Sequence, residues 1–123
     1  MSDAIFSSEQ TFVIYSYTVS HGLLLLRSRK AGSDQELTDI LFLDVRAMEL
    51  RASFSDFEIR EEPAAFLSRF GSNPSAMMEP GLTAFSISGN GWLGYVLAGR
   101  VATQTHDGGF FDTSPLIGTQ TAR

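Results

Sequence analysis

The chain is expected to fold mainly as β structure: an antiparallel barrel or sandwich of six to eight strands with one short helix. Three observations carry this expectation. Runs of β-branched and aromatic residues recur along the sequence, Gly- and Asp-containing turn dipeptides separate them at short intervals, and a single stretch shows helical spacing. Residues 11–19, Thr-Phe-Val-Ile-Tyr-Ser-Tyr-Thr-Val, form the first such run, and Ser20-His21-Gly22 turns the chain into Leu23 to Arg27, which together read as a hairpin. Ala31 to Glu36 reads as a polar loop, and Asp39 to Leu43 as a buried strand.

Residues 45–52 fit two patterns. Asp44 suits the cap of a helix whose face is Ala47, Met48, Leu50 and Phe54, yet Met48 and Leu50 also alternate with Glu49 and Arg51; the strand reading is favoured. Ser55-Asp56 is then a turn, and Phe57-Glu58-Ile59-Arg60 alternates as a strand with one wet face. Pro63 suits the first turn of a helix that carries Phe66, Leu67 and Phe70 on one side, with Gly71 as its stop, placed to cover an edge or plug one end. Ser72 to Gly81 follows as an irregular surface loop. Ala84 to Ser88 alternates again, Gly89-Asn90-Gly91 makes a turn, and Trp92 to Thr105 reads as a strand bent or bulged at Gly94 and Gly99. His106-Asp107-Gly108-Gly109 is the last tight turn. No linker or repeat divides residues 1–123, so a single domain is expected, with 1–10 and 114–123 fraying.

A chain of 123 residues with 43% hydrophobic content buries about two-thirds of its unfolded area, enough for a core without metal or cross-links. It has no cysteine, which excludes disulfide frameworks, thiolate nucleophiles and Cys-based metal sites. The net charge is −5, and the nine bases are eight arginines and Lys30. Their only cluster, Arg27, Arg29 and Lys30, is too small for a phosphate-neutralising surface, so no nucleic-acid partner is expected. The longest uninterrupted aliphatic run, Leu23 to Leu26, is four residues, and the N-terminus lacks a signal-peptide pattern. No membrane association and a cytoplasmic location are expected.

The motifs carry little chemistry. Gly89-x-Gly91-x-x-Gly94 matches the dinucleotide fingerprint by letter, but the strand-like Tyr95-Val96-Leu97 follows where a phosphate-binding helix would have to begin. No nucleophile elbow is present. His21 and His106 sit in turns without metal-ligand spacing; they suit a meeting at one end of a barrel, but solvated or capping roles account for them more simply. Arg46 and Arg100 lie in apolar surroundings and are expected to pair with carboxylates such as Asp39 or Asp44. No cofactor, metal or catalytic residue is implied.

The segments Tyr15-x-Tyr17-x-x-x-His21-Gly22-Leu23-Leu24-Leu25-Leu26-Arg27-Ser28 and Gly94-Tyr95-Val96-Leu97-Ala98-Gly99-Arg100-Val101, with Asp39-Ile40-Leu41-Phe42 and Ser114-Pro115-Leu116, resemble a set of small bacterial proteins without assigned function. The resemblance implies no activity.

Two functional readings follow. In the first, the chain is a non-enzymatic interaction domain, immunity-like or regulatory, with a protein partner or a second copy. Nine acids against three bases between Asp34 and Glu62 offer the docking residues Asp39, Asp44, Glu49, Asp56 and Glu58, joined by the adaptable pair Met77-Met78. In the second, Tyr15, Tyr17, His21, Trp92 and His106 line a ligand pocket in the mouth of a barrel. The first is favoured.

Overall fold

The computed structural model describes residues 3–29 and 36–117. Strand β3 (Leu23–Ser28) has six buried residues in succession, so both of its faces must be covered. Beside it run β2 (Phe12–Thr18) and β4 (Leu37–Leu43); β6 (Ser53–Phe54) and β10 (Arg100–His106) form the edges, giving the order β10-β4-β3-β2-β6. The second sheet takes β1 (Ala4–Ser8), β5 (Ala47–Glu49), β7 (Phe57–Glu62), β8 (Thr83–Gly89) and β9 (Trp92–Ala98) in the order β1-β7-β8-β9-β5. Every pairing is antiparallel. The inner faces share one core, in which Phe12, Leu24, Leu26, Ile40 and Phe42 meet Ile59, Phe85, Ile87 and Val96. The architecture is a β-sandwich of two separate five-stranded sheets rather than a barrel.

The strand count exceeds six to eight because long runs break at bends. Residues 37–49 and 92–106 cross between the sheets side by side, and Gly99 N–H bonds Leu43 O at 2.9 Å while Arg46 N–H bonds Leu97 O at 2.8 Å. A second corner is built likewise from β1 and β2 against β6 and β7, where Asp56 takes φ 52°. Residues 47–49 are a strand, and Asp44, with φ 58°, turns the corner instead of capping a helix. At the same corner Gly22 has φ 59°, and a Cβ there would lie 2.9 Å from Val45 N. Gly22→Ala is therefore expected to lower stability by about 1–3 kcal/mol, the usual strain of a left-handed non-glycine residue, read as a lower urea midpoint.

The expected helix is a 3-10 helix, Ala64–Arg69, that ends in an extended Phe70 rather than in a glycine stop. Six residues are too few for α-helix propagation to decide the geometry. Docking decides it: Phe66 and Leu67 pack on Ala84, Tyr95 and Leu97, on the outer face of the second sheet. The helix thus covers a face rather than an edge or an end. The loop expected over 72–81 contains a further 3-10 turn, Pro74–Met77. Gly89-Asn90-Gly91 makes the β8–β9 hairpin, with Gly89 paired to Trp92 and Gly91 at φ 77°, so the fingerprint motif is a turn between strands.

Both expected frayed ends need correction where they are described. Residues 4–8 form β1, paired along β7. Ser114 is buried, and Leu116 and Ile117 pack on Leu23, Leu25 and Leu41, so the chain after β10 straps the outer face of the first sheet. Residues 118–123, most of the polar loop at 31–36, and Lys30 lie outside the described residues.

Candidate functional site

The most concentrated polar chemistry lies beneath that strap, and strand alternation puts it there. On β3, Arg27 shares a face with Leu23 and Leu25; on β4, Asp39 shares a face with Leu37 and Leu41; the register sets Arg27 directly opposite Asp39. Both side chains are fully buried. Arg27 Nε donates to Asp39 Oδ1 at 2.8 Å and Nη2 to Oδ2 at 3.0 Å, a two-pronged pair. The remaining guanidinium nitrogen, Nη1, donates to the strap carbonyls of Phe110 and Asp112. A bulge between Ile14 and Ser16 leaves Tyr15 out of the ladder and lays its ring 4.5 Å from the guanidinium carbon, edge-on to Phe110.

His106 completes the cluster from β10. Its Nδ1 accepts the Gly108 N–H at 3.1 Å, so the ring proton sits on Nε2, which lies 2.8 Å from Asp39 Oδ2 and donates to it. Burial alone pushes the Asp39 carboxyl up. Hydrogen bonds from Arg27, Ser114 and His106, with the Arg27 charge, outweigh it and hold the carboxyl below its ordinary value.

Serine, histidine and aspartate therefore meet here, but in the wrong order for nucleophilic catalysis. A triad needs the serine proton on histidine and the histidine held by the acid. In this cluster both groups bond the central Asp39, and the second nitrogen of His106 is committed to a backbone amide. Such a network holds the strap on the sheet. Arg27 and Ser114 were not among the candidate residues. The signal for Arg27 was present, since an arginine two and four places beyond Leu25 and Leu23 in a strand apolar on both faces has to be buried and paired.

The residues proposed to line a single pocket are dispersed. The pairings run Leu24–Phe42–Val101 and then Leu37–His106, so His106 and His21 stand at opposite ends of the first sheet. Tyr17 is exposed on β2. Trp92 packs against the inner core and Tyr15 against the cluster of Leu23, Leu25 and Leu41; the indole sits between Phe54 and the Arg51 guanidinium, in a groove of about 390 Å³ that Thr11 and Asn90 share.

The proposed acidic surface is divided as well, because residues 37–62 pass through both sheets. Asp39 is buried and offers nothing to a partner. Asp44 sits at one corner with Arg46, which it bonds at 2.9 Å, and Arg46 also bonds Glu79 at 2.7 Å. The expected Arg46–Asp44 pair is thus present, whereas Asp39 takes Arg27. Glu49 is exposed on β5, Met77 is exposed, and Met78 is partly buried against Phe66 and Leu67. Asp56 and Glu58 do come together. With Glu9, Ser7, Ser8 and Phe57 they line an open groove of about 550 Å³ at the end of β1 and β7, and Glu58 also bonds Arg60 at 2.8 Å.

No family model, curated protein or solved structure matches this chain. The functional reading therefore rests on these surfaces. No helix among the described residues is long and apolar enough to cross a membrane.

Proposed function

We propose that this protein is a small cytoplasmic interaction domain that binds a basic protein partner, in the manner of an immunity or regulatory protein, and does no chemistry of its own. The observation that supports it best is the groove lined by Glu9, Asp56 and Glu58, three acids that share its lining with two serines and one phenylalanine. Two of these acids belong to the block that the sequence offers for docking. A concentration of one sign of charge raises the encounter rate with the opposite sign and selects against acidic partners. The chain's net charge of −5 acts in the same direction at longer range. The resemblance to small bacterial proteins is compatible with this reading and adds no activity to it.

The test compares the protein with a double variant, Glu9→Lys with Asp56→Asn; asparagine tolerates the left-handed backbone at 56. Each is used to capture partners from lysate of the source organism at low and high salt, and the captured protein is then titrated against both. A basic protein held at low salt, released at high salt and bound about tenfold or more weakly by the variant is the expected result. Glu79→Lys, at the opposite end of the sandwich, should leave its affinity unchanged. Equal capture by protein and variant, or no capture by either, overturns the reading.

A further inference from the structure

Among the described residues four strands lie at sheet edges, and three of them are blunted. β5 has three residues and β6 two, while β1 carries a register shift between Ala4 and Phe6. Short strands and bulges are devices that keep edges from pairing with other chains. β10 has none of them. It runs for seven residues, Arg-Val-Ala-Thr-Gln-Thr-His, without proline or lysine, and its register with β4 is unbroken from Arg100 to His106. Among the described residues its outer side has no strand neighbour.

We propose that β10 pairs antiparallel with β10 of a second copy, joining the two first sheets into one continuous sheet across a two-fold axis at Thr103. The sequence of the strand is what selects a second copy. With the axis at Thr103, Val101 lies opposite Thr105 of the other copy, Ala102 opposite Gln104, and Thr103 opposite itself. The five central residues are uncharged, and Arg100 falls opposite His106, so no two arginines are apposed. The pairing also conserves faces, because each residue meets one of the same parity, and inner faces continue into inner faces. Beneath the seam, a groove of about 270 Å³ runs between β10 and β1, lined by Ile5, Phe6, Ile59, Val101 and Thr103 with Glu61. Ile5 is 45% exposed there. Since Thr103 lies on the axis, the two grooves face each other, and association removes this apolar surface from water.

This inference rests on the edge strand and not on the acidic groove, so either reading can fail alone. Sedimentation equilibrium of the intact protein over a wide concentration range should give twice the 13.5 kDa chain mass. Thr103→Lys and Thr103→Glu each place like charges directly opposite one another at the axis, and each is expected to weaken association by about tenfold or more. Their circular dichroism should be unchanged. Mixed in equal amounts, the two variants should associate again, because lysine then meets glutamate. A protein monomeric at every concentration, single variants that associate as well as the parent, or a mixture that stays monomeric would each overturn the proposal.

Discussion

Asp39→Asn is expected to destabilise the protein by about 3–5 kcal/mol, as measured by urea unfolding at neutral pH. The substitution conserves shape and removes charge, which leaves the Arg27 guanidinium buried without its counter-ion, the situation in which breaking a buried pair costs most. The loss should concentrate in the strap. Arg27 holds the Phe110 and Asp112 carbonyls, and His106, itself bonded to Asp39, receives the Gly108 amide. Amide hydrogen exchange over residues 107–117 should therefore accelerate more than exchange in β8 and β9. Uniform acceleration throughout the chain would show that the network supports the whole sandwich and not the strap in particular.

The same carboxyl sets a sign for the acid limb of stability. Its pKa in the folded protein lies below the ordinary carboxylate value of 3.8. Asp39 therefore binds a proton more readily in the unfolded chain. Its stabilising contribution is complete above that ordinary value and disappears as pH falls through the lowered one. In the parent protein stability should drop below pH 3.8, and this part of the drop should be absent in Asp39→Asn.

Phe57→Ala is expected to lower stability by about 3–5 kcal/mol, the usual range for emptying a buried aromatic site. Phe57 is only 2% exposed, and its ring meets Phe54 at 4.8 Å, Phe12 at 5.1 Å and Phe6 at 6.0 Å between centroids. These residues come from β1, β2, β6 and β7, the four strands of one corner, so the cavity would open where the two sheets are joined. Phe54 also contacts Trp92 at 5.2 Å. Near-ultraviolet circular dichroism of the tryptophan should therefore weaken along with the loss in stability. Thermal unfolding unchanged within a degree or two would show that this corner is held by its backbone pairing rather than by the rings.

Much of the fold was legible from local rules. Strand alternation places β7 and β8, the turn residues place the hairpin at Gly89-Asn90-Gly91, and the alternation of Met48 and Leu50 with charged residues favours, over the helix that the same residues also allow, the strand found at 47–49. The helix at 64–69 was legible in position but not in type, since its geometry follows from how Phe66 and Leu67 seat on the sheet. The candidate sites were less legible. Asp56 and Glu58, offered as docking acids, do share one groove, but Glu9 was not read with them, because it joins them only through the pairing of β1 with β7. Asp39 was offered both as a docking acid and as a counter-ion for Arg46 or Arg100. Only the register reveals that it opposes Arg27, and only the strap, which sits more than sixty residues away, covers the pair.

What the sequence by itself determined is the β-rich class, the turns, the lack of thiol chemistry and the acidic balance, because each depends on residue type or on neighbours a few positions apart. Tertiary structure alone decided the sandwich over the barrel, the corners, the buried Arg27–Asp39–His106 network and the place of β10 at a sheet edge among the described residues. Each of these depends on which distant strands meet and in what register, and the pairing energy that chooses among registers is shared across both sheets.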